Sequence, residues 1–298
     1  MKLSVVISTL NNRERLCETL DELAVVLGGD DEVIVVNGPS TDGTTGTIRA
    51  RDDVDVLVEI SERSQSVSRN AGLDHVRGEA VAFLDDTCLV ESGWRDGIET
   101  ALSAGADVVT GPVTGTPDRS ALMDVFAVAG RTVTPIPGTN VAFATPVLDR
   151  LDGFDEYLDP GSTVDCAHRL AGGDFDVVSS GDMTVRWIDE SPGEESPEWG
   201  KRYRSIGYRL AKNYGIHPAI LARTLARALL DGFDDARCVL RGETALRDWV
   251  RNGVDVTSNA LVGLRDGLTA RYRGDSPQRN PRGVTSRQDR AVRVYDRR

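Results

Sequence analysis

The chain has 298 residues and a formal net charge of −12, with 35 Lys and Arg against 47 Asp and Glu. This length allows one large domain, or one domain with an appendage, and a substantial buried core. The acidic balance argues against nucleic acid as a partner of the main body, because nucleic-acid sites need a positive surface.

The charged residues are chosen unevenly, with 32 Asp and 15 Glu against 32 Arg and 3 Lys. Such an Asp-rich, Lys-poor composition resembles that of proteins from salt-loving archaea, in which concentrated salt screens the self-repulsion of the chain. We therefore expect an archaeal, halophilic protein whose stability rises with salt.

The four cysteines, Cys17, Cys88, Cys166 and Cys238, are far apart and form no C-x-x-C pair. This spacing argues against a zinc site or a redox motif and fits reduced thiols in a cytoplasm. The first apolar run is too short for a signal peptide, and no stretch of 18 apolar residues occurs. We expect a cytoplasmic protein without a membrane span.

The first 85 residues alternate apolar strands with helical segments. Strands are predicted at 3–7, 32–36, 54–60 and 80–84. Four strands separated by helices predict a mostly parallel sheet with helices on both faces, which is an α/β nucleotide-binding architecture. Neither G-x-G-x-x-G after the first strand nor G-x-x-x-x-G-K-[ST] occurs, which argues against a dinucleotide-dependent dehydrogenase and a P-loop enzyme.

Two adjacent carboxylates, Asp85 and Asp86, follow the fourth predicted strand. Ligands of open α/β sheets bind beyond the carboxyl ends of the strands, so this pair could hold a hard cation, Mg²⁺ or Mn²⁺, that bridges to a phosphate. The alternative interpretation is a solvated turn, because Asp is a common turn residue.

The middle of the chain continues the pattern less regularly. Further strands are predicted at 106–110, 138–144, 175–178 and 183–188. Residues 112–138 are rich in Pro, Gly and Thr and predict a long excursion over the sheet.

Strand patterns stop near residue 198, and helices are predicted at 198–214, 217–232 and 242–268. The apolar stripe of the second helix favours a helical cap packed on the sheet domain, with a membrane-surface helix as the alternative. The last 28 residues, 271–298, contain nine Arg and three Asp, a net +6 against −18 for the remainder. This tail either lies across the acidic body or is an arm for anionic lipid, which would make the protein peripheral at the inner face of the membrane.

Seven motifs, in this order, resemble the family 2 glycosyltransferases of the GT-A fold over roughly residues 3–188. The motifs are 5–11, 32–44, 68–72, 78–86, 93–94, 138–140 and 152–156. The resemblance implies a GT-A-like domain at 1–190, a helical C-terminal extension at 191–270 and an Arg-rich tail at 271–298. It also implies an inverting, metal-dependent transfer of a sugar from a nucleotide-diphosphate donor to an acceptor hydroxyl.

The resemblance assigns the donor-binding residues to Thr9, Asn11, Asn37, Arg69 and Asp85. Asn37 stands where the family usually has Asp, so the residue does not indicate which nucleotide base the donor carries. An amide can both donate and accept hydrogen bonds, so contact with the base remains compatible with Asn37. The guanidinium of Arg69 would suit a diphosphate by its fork geometry. The alternative for Arg69 is an ordinary helix-surface arginine.

The family's Asp-x-Asp metal motif corresponds to Asp85 and Asp86, with Thr87 in place of the last carboxylate. The usual catalytic base corresponds to Thr163, which leaves Asp165 as the nearest carboxylate and the candidate base. The resemblance assigns the acceptor side to Asn140, Asp155 and Glu156, which lie in the motifs at 138–140 and 152–156.

Two questions stay open at the sequence level. The neutral residues at 87 and 162–163 favour a non-catalytic sugar-nucleotide-binding or scaffold protein as the alternative to an enzyme. A third hypothesis is nucleotidyltransfer, against which counts the absence of a Lys/Arg-rich glycine loop after the first strand. By analogy with the family, the basic tail and the C-terminal helices favour a lipid-linked acceptor, such as a polyprenyl or dolichyl phosphate glycan in archaeal protein N-glycosylation or surface-glycan assembly.

Overall fold

The structure is a computed structural model that describes residues 1–115, 125–188, 199–218, 246–273 and 280–298. The strands are β1 (Leu3–Thr9), β2 (Glu32–Asn37), β3 (Val56–Ile60), β4 (Ala80–Asp85), β5 (Cys88–Val90), β6 (Val108–Thr110), β7 (Val113–Thr114), β8 (Phe126–Val128), β9 (Arg131–Val133), β10 (Asn140–Ala144), β11 (Val177–Ser179), β12 (Val185–Trp187) and β13 (Ala291–Asp296). The helices are α1 (Arg13–Val26), α2 (Thr44–Ile48), α3 (Gln65–Leu73), α4 (Trp94–Ser103), α5 (Thr145–Leu151), α6 (Ser162–Leu170), α7 (Trp199–Tyr214) and α8 (Leu246–Arg273).

An eight-stranded sheet organises the fold, in the order β11-β6-β10-β4-β1-β2-β3-β13. The four strands predicted in the first 85 residues pair in parallel, with β1 between β2 and β4 and β3 beyond β2. The strand β10 runs antiparallel between β4 and β6. The predicted α/β class, with a mostly parallel sheet and a helical C-terminal region, is confirmed.

Helices cover both faces of the sheet because the strand side chains alternate between two apolar layers. On one face, Leu16 and Leu20 of α1 pack with Val5. On the other face, Ala71 of α3 packs with Val6. Each fully buried Leu contributes about 1.5–3 kcal/mol relative to an exposed one, so these layers hold the sheet edge and its loops in place.

The C-terminal helices α7 and α8 pack closely against each other. A Cβ atom on Gly207 would lie only 2.6 Å from the carbonyl oxygen of Ala260, so glycine is needed for this approach. The predicted helices at 198–214 and 242–268 thus correspond to α7 and α8. The predicted helix at 217–232, with its membrane-surface alternative, and Cys238 lie outside the described residues, apart from residues 217 and 218.

The end of the chain forms the edge strand β13, which pairs antiparallel with β3. The Arg298 guanidinium lies 2.8 Å from a carboxylate oxygen of Glu32, which is buried and also accepts hydrogen bonds from the Ser4 hydroxyl and the Arg77 backbone N–H. Burial acts to raise the pKa of Glu32, but these hydrogen bonds outweigh it and lower the pKa to about 2. The last residues of the Arg-rich tail therefore lie on the acidic body.

None of the helices in the described ranges has the length and apolar character needed to cross a membrane.

Candidate functional site

A cavity of about 410 Å³ opens at the carboxyl ends of the parallel strands. Its lining includes Thr9 at the end of β1 and Asn11 after it, Gly38 after β2, and the carboxylates Asp85 and Asp86 at the end of β4. The sheet order brings these segments together, because β1 lies between β2 and β4. Four of the predicted donor and metal residues therefore share one cavity.

Hydrogen bonds tie the loop after β1 to the loop after β2. The side-chain oxygen of Asn11 accepts from the Thr41 backbone N–H at 2.7 Å, and the Asn11 N–H donates to the Ser40 hydroxyl at 2.8 Å. Asn11 has φ 53°, in the left-handed region that Asn tolerates better than most residues. The two loops form one side of the cavity.

Asn37 is buried and is not among the residues that line the cavity. Its amide nitrogen donates to the Thr45 hydroxyl at 2.9 Å, and its oxygen accepts from the Ser40 hydroxyl at 2.7 Å. The Thr45 hydroxyl in turn donates to Glu59. Asn37 thus holds the loop after β2 by way of Ser40, and both of its polar groups are in use within the protein.

The acidic pair combines an oriented carboxylate with a buried one. Thr87 stands where the Asp-x-Asp motif has its last carboxylate. Its hydroxyl donates to the Asp85 carboxylate at 2.8 Å and orients that carboxylate. Asp86 is 7% exposed, and the Thr19 hydroxyl donates to its backbone oxygen at 3.1 Å. Burial and then the adjacent charge of Asp85 raise the pKa of Asp86 to about 7.

This pair fits a divalent cation, because a bound cation would relieve the repulsion that raises the pKa of Asp86. Within the described part of the chain, no cluster of three or more His, Cys, Asp or Glu side chains could hold a metal. The protein would therefore supply two carboxylates, and phosphate and water oxygens would complete the shell, as is usual for Mg²⁺.

Arg69, on α3, is 3% exposed, so it is not an ordinary surface arginine. One terminal nitrogen, Nη2, donates to the Gly138 carbonyl at 3.0 Å, whereas Nη1 has no hydrogen-bond partner among the described residues. Burial lowers the pKa of Arg69 to about 10, and the charge of Asp85 acts in the opposite direction. The guanidinium is thus charged at neutral pH and close enough to interact electrostatically with Asp85.

The geometry does not support Asp165 as a catalytic base. Asp165 is fully buried on α6, and its carboxylate accepts from Lys212 at 2.7 Å, Arg169 at 2.9 Å and Asn213 at 2.8 Å. Burial acts to raise its pKa, but the charges of Lys212 and Arg169 outweigh burial and hold the pKa of Asp165 well below its usual range. A carboxylate in this state is a poor proton acceptor and has no access to an acceptor hydroxyl.

The three predicted acceptor-side residues are also engaged within the protein. Asp155 is fully buried and lies 2.5 Å from the ammonium of Lys212, and Glu156 accepts from Asn70 at 2.8 Å and pairs with arginines of the C-terminal segment. Asn140 accepts from the Trp94 indole at 2.9 Å and donates to a backbone oxygen. In this structure all three support neighbouring elements instead of facing the cavity.

Sequence patterns did not identify two parts of this region. Glu62 and Arg63, in the loop before α3, line the cavity, and the only local signal was the helix cap at Ser64. Lys212 is fully buried and joins Asp155 to Asp165 from 47 and more residues away, and its sole sequence signal was the rarity of Lys in this chain.

Comparisons with known proteins agree with this architecture. Residues 4–124 match the model of the family described as Glycosyl transferase family 2. Glycosyltransferase AglE of Haloferax volcanii is 31% identical over 117 residues, which cover 37% of this chain and 38% of that protein. The aligned region thus spans well under half the length of that relative.

Two solved structures resemble the fold. The mannosyltransferase PcManGT of Pyrobaculum calidifontis, in complex with GDP-Man and Mn²⁺, has a TM-score of 0.58 and 20% identity and covers 89% of this chain and 87% of its own. S. aureus TarS 1–349, in complex with UDP-GlcNAc, has a TM-score of 0.61 and 18% identity and covers 96% and 89%. These two structures, at 20% and 18% identity, show a likeness of fold, and the sequence match to glycosyl transferase family 2 is confined to residues 4–124.

Proposed function

We propose that the protein is a glycosyltransferase that moves a sugar from a nucleotide-diphosphate donor to an acceptor hydroxyl. The observation that carries this proposal is the opening of Asp85 and Asp86 into the same cavity as Thr9 and Asn11. In that arrangement, the loops after β1 and β2 take the nucleoside, and the acidic end of β4 takes the diphosphate.

A divalent cation, Mg²⁺ or Mn²⁺, held by Asp85 and Asp86 would neutralise the charge that develops on the departing diphosphate. Support comes from the fit of the carboxylate pair and from the Mn²⁺ in the PcManGT complex. Thr87 keeps Asp85 oriented towards this role through its hydroxyl. The buried guanidinium of Arg69 adds a positive charge close enough to interact with Asp85.

Transfer would proceed by a single displacement. The bond between the anomeric carbon and the diphosphate oxygen breaks as the acceptor oxygen forms the new bond from the opposite side, so the configuration inverts. The base that accepts the hydroxyl proton is not assigned, because Asp165 is buried and paired with Lys212 and Arg169.

A lipid-linked glycan, such as one carried on a polyprenyl or dolichyl phosphate, is the proposed acceptor. This part rests on the similarity to AglE of a haloarchaeon and on the basic composition of residues 271–298. The composition, with its Asp excess and three Lys, supports a halophilic protein.

A screen of nucleotide sugars with Mg²⁺ or Mn²⁺ in molar KCl, read out by released nucleotide, tests the proposal. We expect turnover with at least one donor and its loss in Asp86→Ala. The matched control is Asp149→Ala, an exposed carboxylate on α5, which should retain the wild-type rate.

The competing function is a non-catalytic sugar-nucleotide-binding or scaffold protein, favoured by Thr87 and by the burial of Asp165. Saturable nucleotide binding without release of nucleotide from any donor would support that alternative. Full activity of Asp86→Ala would remove the metal assignment while leaving the transferase in place.

A further inference from the structure

The amino-terminal turn of α6 has no side-chain cap. Its capping position is Gly161, at φ 119° and ψ 3°, and no side chain there accepts a hydrogen bond from the first turn. The first N–H groups of a helix have no partner within the helix, and they carry the positive end of its dipole. This nine-residue helix therefore begins with a donor-rich turn formed by Ser162 and Thr163.

Arg69 lies beside this turn. A Cβ atom on Gly138 would lie 2.8 Å from the methyl carbon of Thr163 and against Nη2 of Arg69, so both side chains border the space that glycine leaves open at position 138. Arg69 is 3% exposed, and its Nη1 has no partner in the described ranges. A buried guanidinium with one unpaired nitrogen indicates that an anion can bind here, because unpaired buried donors are rare.

A second arginine reaches the same turn from α7. Nη1 of Arg209 lies 3.6 Å from the place a Cβ atom on Gly161 would occupy. Its Nε is buried and has no hydrogen-bond partner among the described residues. Burial lowers the pKa of Arg209, and the charge of Asp165 offsets this only in part.

Two of the nearby carboxylates are committed to other cations. The buried Asp155 and Asp165 lie close to Lys212 and Arg169, and Asp165 also acts on Arg209. Both carboxylates already pair with Lys212, and Asp165 also pairs with Arg169. Asp85 and Asp159 also act on Arg69, and Asp159 is exposed to solvent. The guanidinium nitrogens of Arg69 and Arg209 that have no partner among the described residues therefore remain available to an anion.

The side chain that α6 presents next to Arg69 is Thr163, which is neutral. A carboxylate at this place would repel an anion, whereas a hydroxyl and free backbone N–H groups can donate to one. The donor cavity described above includes no residue of α6 or α7 in its lining. The turn is therefore separate from the lining of the nucleotide cavity, and Arg69 is near the turn and within the electrostatic influence of Asp85.

We propose that the first turn of α6, Arg69 and Arg209 form a subsite for a phosphate group carried by the acceptor. The inference rests on the proposed function, since it names the chemical class of the acceptor. Tetrahedral phosphate oxygens can take the helix N–H groups on one side and a guanidinium on each flank. The β-phosphate of the donor has the same chemistry, and the experiment below separates the two sources.

The test is calorimetric titration of the full chain with inorganic phosphate, in KCl at the lowest concentration that keeps the chain folded. Titrations are run with and without a saturating nucleoside diphosphate, UDP or GDP, and Mg²⁺. The variants are Arg209→Gln and, as a matched control, Arg150→Gln, which removes the same charge from an exposed arginine on α5.

We expect wild type and Arg150→Gln to bind phosphate equally, also in the presence of the nucleotide. Arg209→Gln should bind at least about tenfold more weakly, the loss expected for one charge-assisted hydrogen bond. If circular dichroism shows that Arg209→Gln does not fold, Arg209→Lys replaces it. That variant keeps the charge but lacks the fork, so it should also weaken binding.

Three results would overturn the proposal. They are the absence of phosphate binding to wild type, equal binding to wild type and the folded Arg209 variant, and loss of phosphate binding once nucleotide saturates the protein. The third result would assign the turn to the β-phosphate of the donor. A protein that binds phosphate through Arg209 but binds neither UDP nor GDP would contradict the proposed function and leave the subsite intact.

Discussion

Replacement of Lys212 by Met should destabilise the protein strongly, because this ammonium is fully buried between two carboxylates. It lies 2.5 Å from Asp155 and 2.7 Å from Asp165, and it joins α7 to α6 and to the loop after α5. Removal of one partner from a buried pair costs about 3–5 kcal/mol, because a charge is left without compensation. Each carboxylate keeps another donor, Tyr208 at 2.9 Å for Asp155 and Arg169 at 2.9 Å for Asp165, which favours the lower end of that range.

Thermal unfolding followed by circular dichroism at fixed KCl measures this effect. A loss of 3 kcal/mol corresponds to a midpoint about 6–12 °C lower for a domain of this size. The control is Lys201→Met, an exposed lysine on the same helix, for which the change should stay within about 0.5 kcal/mol. A Lys212→Met midpoint equal to that of the control would refute the reasoning and would mean that the two carboxylates are adequately compensated without Lys212.

Four further outcomes are expected. Asp86→Asn should raise the midpoint of the metal-free protein at pH 8, since the raised pKa of Asp86 shows that its charge is unfavourable in the fold, and it should abolish stabilisation by Mn²⁺; an unchanged Mn²⁺ response would argue against the carboxylate pair as the metal site. Glu32 has a folded pKa below its unfolded value, so its contribution to stability is complete above about pH 4.5 and is lost towards pH 2, and the difference in midpoint between wild type and Glu32→Gln should shrink over that interval. Gly138→Ala should weaken nucleotide-sugar turnover by at least about tenfold by displacing Arg69, and wild-type kinetics in this variant would show that turnover does not depend on the position of Arg69. The melting temperature should rise between low and molar KCl, because salt screens the net charge of −12, and a flat response would remove the halophilic interpretation.

Local patterns were sufficient for the class of fold and for one side of the site. The continuous apolar runs and the helical spacing of apolar residues in the first 85 residues predicted the parallel strands and their helices, because strands buried on both faces are apolar throughout and each helix buries one apolar face. The ordered motifs indicated a resemblance to the family, and the place of Asp85 and Asp86 after a strand predicted an acidic pair at the carboxyl edge of the sheet. These features depend on neighbours in sequence and on the rule that parallel strands end at the same edge.

The tertiary structure decided the features that depend on partners distant in the sequence. Asp165 lies in a motif that suggested a catalytic role, but in the fold it is paired with Lys212, 47 residues further on. No local sequence pattern predicts that pairing. The strand β13 adds to the sheet through backbone hydrogen bonds with β3, which carry no sequence signature of their own. The sequence by itself therefore determined the parallel sheet and the place of the acidic pair at its edge. Only the folded chain decided which charges stay available, because burial and pairing, not residue type, control that.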